Sequence, residues 1–196
     1  SIGVFVVDNK NSKRKLVESD LSLLMGITSI IGISIRNAQL ITTAEERFTS
    51  ILKVMAASID AMDPLTAGHS EKVTEYTMGI CGQMGFSEEE TTVIQVAASL
   101  HDYGKIGIPE AILTKPGRLT PEEYEVIKLH PTKTRKILEQ VNFSGDYSVI
   151  PLIASCHHEK MDGSGYPLGL SGNQIPMGAR IIAVADFFEA ITAVRH

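Results

Sequence analysis

Over residues 2–7 the chain is apolar and largely β-branched, then turns polar at Asp8-Asn9 and stays so through Lys15, which predicts a strand followed by a loop. Ser19 or Asp20 can cap a helix that meets no proline or other clear stop before Pro64. That helix is too long for one domain without a special purpose. Phe48, Leu52, Met55, Ile59 and Met62 recur along it at alternating spacings of about four and three, a seam suited to a partner helix or to the chain's own domain.

Beyond Pro64 the pattern is nearly all helical. Ser87 and Glu90 form a capping box that opens a helix through Val93, Val96 and Ala97 towards His101. Thr120, Pro121 and Glu123 make a second box, with proline at the favoured first position. Further helical runs cover about 131–141, 146–158 and 177–195, while the Gly- and Pro-rich segments 115–119 and 162–176 predict loops. There are no internal repeats and no low-complexity segments.

A length of 196 residues suggests one domain plus a piece of another, and 43% hydrophobic residues are enough to bury a core. Eighteen basic and 23 acidic residues are spread along the chain, which argues against a surface that neutralises a DNA or RNA duplex. A small phosphate-bearing substrate stays open, because bound cations can supply positive charge locally. Cys81 and Cys156 make no disulfide framework and read as buried thiols of a cytoplasmic protein. The apolar stretch from Leu21 to Ile35 is diluted by Ser22, Gly26, Thr28, Ser29, Gly32 and Ser34, and reads as too short and mixed for a membrane span. The chain opens at Ser1 directly in a strand-like run, as if cut from something longer.

The candidate chemistry lies in the histidines. A lone histidine on a helix is more often structural than a ligand, but here His101 is followed by Asp102, and His157-His158 by Glu159 and Asp162. His69 and His130 sit next to helix boundaries, and Asp186 lies among Val184, Ala185, Phe187 and Phe188, where a buried acid needs a cation or full hydrogen bonding. Imidazole and carboxylate donors in this mixture suit iron, manganese or zinc. They come from separated segments, as in a catalytic site held between helices, and two metals sharing a carboxylate would use them economically.

His101-Asp102-Tyr103-Gly104-Lys105-Ile106-Gly107-Ile108-Pro109 and His157-His158-Glu159-Lys160-Met161-Asp162-Gly163-Ser164-Gly165-Tyr166-Pro167 resemble the two signatures of the HD-GYP family, with a likeness extending over about residues 50–196. The resemblance implies a mainly α, helical HD-type domain with a dinuclear metal site that hydrolyses a cyclic dinucleotide, most often cyclic di-GMP. Two divalent transition-metal ions are implied, iron or manganese before zinc. On the family's pattern His69, His101, Asp102 and Asp186 hold one ion. Asp102 bridges to the second, which His130, His157 and His158 complete, and a hydroxide between the metals is the nucleophile. Asp102 and Lys105 are the candidate catalytic residues, with Lys105 reaching a non-bridging phosphate oxygen. Arg195 lies where the family places a phosphate-binding arginine. Tyr166 could stack on a guanine, serve a protein contact or be structural, while Gly163, Gly165 and Pro167 shape its loop. Through that Gly-Tyr-Pro loop the resemblance also suggests contact with diguanylate cyclases. Glu159 could orient a histidine.

Some positions depart from the pattern. Leu65 stands where some members carry a glutamate for a third metal, Glu189 where an aspartate is frequent, and His196 where a proline usually follows the arginine. Residues 1–43, through Gly3-Val4-Phe5-Val6-Val7-Asp8, Asp20-Leu21 and Asn37-Ala38-Gln39-Leu40, resemble the last strand and helix of a GAF sensor domain. The expected organisation is therefore a GAF-like remnant over 1–43, a linker helix over 44–62 that pairs two copies of the chain, and a catalytic domain over 63–196, truncated at its C-terminus. Two other functions fit the residues: a catalytically silent module binding nucleotide or a partner protein, and a metal hydrolase of another phosphate ester.

Overall fold

The computed structural model describes residues 3–7, 15, 17–62 and 68–193, and every regular element among them is helical. Of the strand expected over residues 2–7, Gly3 to Val7 run without strand pairing among the described residues. A strand needs a neighbour for its backbone groups, and no described residue provides one here. Ile2 and Asp8-Asn9 lie outside the described residues, as do Leu65, Arg195 and His196.

The chain divides into two compact units, Ser1–Ser50 and Ile51–His196. Helix α1, Glu18–Asp60, begins in the first and ends in the second. In the first unit Leu21, Leu23, Met25, Ile30 and Ile33 are all exposed. By length and composition α1 is long and apolar enough to cross a membrane, a test that core helices of soluble proteins also pass. The apolar stretch from Leu21 to Ile35 is thus one part of a longer helix, and length and composition alone do not make it a span. The helix does not stop at Ile35, and the dilution by polar residues is smaller than it looks, since the Thr28 hydroxyl donates to the Leu24 carbonyl at 2.7 Å.

In the second unit the end of α1 packs inward. Leu52 and Ile59 are buried, and Met55 lies against the core built on Val73, Leu100, Leu138, Ile150 and Ile182. Three residues of the expected partner-helix seam thus serve the chain's own domain. Around that core stand α2 (His69–Met84), α3 (Glu88–Ser99), α4 (Glu110–Leu113), α5 (Pro121–Ile127), α6 (His130–Leu138), α7 (Ile150–Ser155) and α8 (Met177–Thr192). α2 packs on α3 and α8, and α6 packs on α7 and on a 3₁₀ turn, Tyr103–Gly107.

Local signals account for many of the boundaries. The Ser87 and Thr120 hydroxyls accept from the backbone N–H groups of Glu90 and Glu123, closing both capping boxes. Gly85 ends α2 in the left-handed conformation, φ 75°. The helix expected over 146–158 is shorter than its pattern. A 3₁₀ turn, Gly145–Val149, leads into α7, and Pro151 occupies that helix's first turn.

Candidate metal centre

Three of these helices hand over to a histidine in the same way. The last carbonyls of a helix have no partner within it. Past the end of α3, His101 Nδ1 donates to the Ala98 carbonyl at 2.7 Å; past α5, His130 Nδ1 donates to Ile127 at 2.8 Å; past α7, His157 Nδ1 donates to Ala154 at 2.7 Å. A neutral imidazole that donates through Nδ1 keeps a lone pair on Nε2. All three Nε2 atoms converge on Asp102. His101 Nε2 lies 3.5 Å from Oδ2, while His130 and His157 Nε2 lie 3.2 and 3.9 Å from Oδ1.

His69, the first residue of α2, completes the other side. Its Nε2 is 3.8 Å from Asp102 Oδ2 and 3.3 Å from Asp186 Oδ1, and its Nδ1 is 2.6 Å from Glu189 Oε2. The donors therefore fall into two triads, His69–His101–Asp186 and His130–His157–His158, each with its ligand atoms within 4.8 Å of one another. Asp102 stands between them, with Oδ2 towards the first and Oδ1 towards the second. It also joins His101 and His157 in a third, overlapping group.

Two observations fit this cage to divalent cations. His101 Nε2 is buried and has no hydrogen-bond partner. His130 and His157 Nε2 face each other at 3.4 Å, two acceptors that repel unless positive charge lies between them. At the second triad protonation points the same way. Burial, with His158 adding to it, pushes His157 well below its ordinary value, and burial with His130 pushes His158 down to about 4, so both are neutral ligands near pH 7. Burial would raise Asp102, but Lys105 beside it, then His101 and His130, hold its carboxyl well below the usual range. For His69 burial acts downwards, yet the hydrogen bonds to Asp186 and Glu189 outweigh it and raise the imidazole to about 9. Burial also works against ionised Asp186, and its bond to His69 lowers it on balance.

The surroundings hold these groups in register. Lys105 Nζ lies 2.7 Å from Asp102 Oδ2. A Cβ at Gly104 would collide with the His130 carbonyl and the Thr134 backbone, so only glycine lets the 3₁₀ turn sit this close to α6. The Thr134 hydroxyl fastens that contact, accepting from Gly104 N at 2.8 Å and donating to the His101 carbonyl at 2.9 Å. In the second signature a Cβ at Gly165 would strike the backbone of Glu159 and Lys160, and Gly163 has φ 81°. Tyr166 stacks on His158 with ring centroids 4.8 Å apart, and it precedes Pro167 through a cis peptide. Burial and the adjoining Tyr124 push its phenol up, so it stays protonated.

Some expectations are corrected here. Glu159 does not orient a histidine; its two oxygens accept from Leu168 N at 2.6 Å and Leu170 N at 2.9 Å, clamping the Gly-Tyr-Pro loop. Asp186 is not enclosed by its apolar sequence neighbours: Val184, Phe187 and Phe188 are exposed on other sides of α8. Its counterpart is His69. Glu189, read only as a departure from a family pattern, is buried against His69, and its i,i+3 spacing from Asp186 was the available signal.

Residues 53–196 match the family model described as the HD domain. The chain belongs to the HD domain family. Its His101-Asp102 pair lies at the middle of the cage, and divalent-metal binding is what an HD domain implies. Relatives of this HD domain include a cyclic di-GMP phosphodiesterase of Thermotoga maritima, 45% identical over 160 residues, covering 78% of this chain and 43% of that protein. The cyclic di-GMP phosphodiesterase response regulator RpfG of Xanthomonas campestris is 44% identical over 153 residues, covering 77% and 40%. The 3'3'-cGAMP-specific phosphodiesterase 3 of Vibrio cholerae is 40% identical over 145 residues, covering 74% and 31%. The chain thus spans less than half the length of these relatives. Among solved structures, an HDG"Y"P protein from Bdellovibrio bacteriovorus matches with a TM-score of 0.51 at 22% identity, over 60% of this chain and 38% of that one, a likeness in fold.

Proposed function

We propose that this HD domain is the catalytic part of a metal-dependent, HD-GYP-type phosphodiesterase acting on a cyclic dinucleotide, either cyclic di-GMP or 3'3'-cGAMP. The observation that carries the reading is the division of Asp102, with Oδ2 facing the His69–His101–Asp186 triad and Oδ1 facing His130 and His157. A carboxylate so placed would bridge two cations, one held by each triad. Iron or manganese suits this imidazole–carboxylate set, and zinc accepts it as well. Such cations, when bound, stabilise charge on a phosphoryl oxygen and lower the pKa of water to about 7.

The chain's own groups supply the rest. The Nδ1 bonds of His101, His130 and His157 fix both tautomer and ring orientation, so that three Nε2 atoms are preorganised. Lys105, ion-paired to Asp102 with 16% of its side chain exposed, stands at the rim of the cage and stabilises phosphoryl charge. Tyr166 backs His158 and places the Gly-Tyr-Pro loop beside the second triad. The names of the relatives support the substrate class, and both dinucleotides occur among them at similar identity.

The test is incubation of the manganese- or iron-loaded protein with each dinucleotide, with chromatographic detection of the linear product. Opening of either ring, lost in Asp102→Ala, supports the reading. Turnover of bis(p-nitrophenyl) phosphate but of neither dinucleotide would make the protein a hydrolase of another phosphate ester. Turnover of none would leave a binding module.

A further inference from the structure

Asp60 lies in the last turn of α1 with 8% of its surface exposed, and its Oδ1 accepts a 2.7 Å hydrogen bond from the hydroxyl of Ser70, which is 3% exposed. Ser70 is the second residue of α2 and follows His69 directly. α2 opens at Gly68, in the left-handed conformation with φ 75°, and no side chain from that position caps it. Asp60 therefore brings a carboxylate, from another helix, to a first turn whose N–H groups favour negative charge. The α1 side of the bond is anchored, since Leu52 and Ile59 are buried in the core and Met55 packs against it. The other side is one residue from a member of the first triad. His69 cannot shift along or about the α2 axis without carrying Ser70 with it.

We propose that Asp60 and Ser70 are positioning residues that couple the end of α1 to His69, so that the placement of α1 sets the geometry of the His69–His101–Asp186 triad. The proposal rests on that triad being a cation site. α1 enters this unit from the residues before Ile51. A displacement of its last turn is thereby converted into a change in cation holding.

The experiment is calorimetric titration of the whole chain with manganese, in the absence of any nucleotide, with thermal melts of the metal-free protein alongside. Ser70→Ala removes only the hydroxyl. It should weaken one of two binding steps about tenfold, the lower range for loss of a supporting hydrogen bond, and leave the other unchanged. Asp60→Ala should weaken the same step, and the double variant should be no weaker than the worse single, as expected for partners in one bond. Ser70→Thr should restore binding. In a His69→Ala background Ser70→Ala should change nothing further, whereas in His158→Ala it should still weaken the remaining step. Unchanged affinities, equal weakening of both steps or additive effects of the two substitutions would overturn the coupling. So would a lower melting temperature with intact affinities, which is the mark of a purely structural bond. Should Asp60→Ala fail to fold, Ser70→Ala in the two backgrounds decides by itself. Because no dinucleotide is present, a failure of the phosphodiesterase reading leaves this result standing.

Discussion

Glu189 Oε2 lies 2.6 Å from His69 Nδ1, so the carboxylate that orients the first histidine comes from a residue 120 positions further along the chain. The contact fixes which nitrogen of His69 faces the cage. Glu189→Gln keeps the shape but weakens the acceptor, and Glu189→Ala removes it. The alanine variant should bind the first cation some 10–100-fold more weakly and the glutamine variant less severely so, with the second site nearly unaffected. Titration with manganese checks this; equal affinities in all three proteins would remove Glu189 from the site.

Lys105 calls for a different signature. If its charge acts mainly in the transition state, Lys105→Ala should retain both cations and its fold while kcat and kcat/KM fall together, by about a hundredfold. Steady-state kinetics with the preferred dinucleotide measures it. An unchanged kcat would return Lys105 to the role of a counter-ion for Asp102.

These two residues mark what can be read from the chain and what cannot. The capping boxes at Ser87 and Thr120 were legible because each is closed within a single turn. The His-Asp pair and the Gly-Tyr-Pro signature were legible because their residues are contiguous. Grouping the donors into two triads required the start of α2, the ends of α3, α5 and α7 and the middle of α8 to be brought together. The role of Glu189 depends on a partner far away in sequence, and only its spacing from Asp186 hinted at it. Helical periodicity showed a seam on α1 but not what covers it, which proved for Leu52 and Met55 to be the chain's own core, with Ile59 buried as well. The run at residues 2–7 shows the opposite failure: β-branched residues favour a strand, but nothing among the described residues pairs with it.

The close approach at Gly104 predicts a backbone-level effect. In Gly104→Ala the new methyl meets the His130 carbonyl and Thr134, which cannot yield as a flexible side chain could. A loss of about 3 kcal/mol is expected from overpacking of this kind. Cation affinity should fall with it, because the 3₁₀ turn must move away from His130. A chemical denaturation curve matching the unsubstituted protein would show that the turn relaxes freely.

His69 predicts a pH dependence in the metal-free protein. Its imidazole is raised from 6.5 to about 9 in the folded state, chiefly because the Asp186 and Glu189 hydrogen bonds outweigh the effect of burial. A group raised on folding contributes stability that is complete below the unfolded value and is lost as pH rises through the folded one. Chelator-treated protein should therefore lose stability between pH 6.5 and about 9. Manganese affinity at the first triad should rise over the same interval, as a bound cation displaces the proton. His69→Gln should flatten both trends, and melts of the unsubstituted protein that parallel those of the variant would contradict the assignment.

The central claim is that Asp102 joins two cation sites into one centre, and elemental analysis of the purified, metal-loaded protein tests it most directly. Two ions per chain are expected in the unsubstituted protein. His130→Ala should chiefly lose the second, whereas Asp102→Ala should lose both, because the shared carboxylate serves each site. A single ion in the unsubstituted protein, or two retained in Asp102→Ala, would contradict the bridged centre.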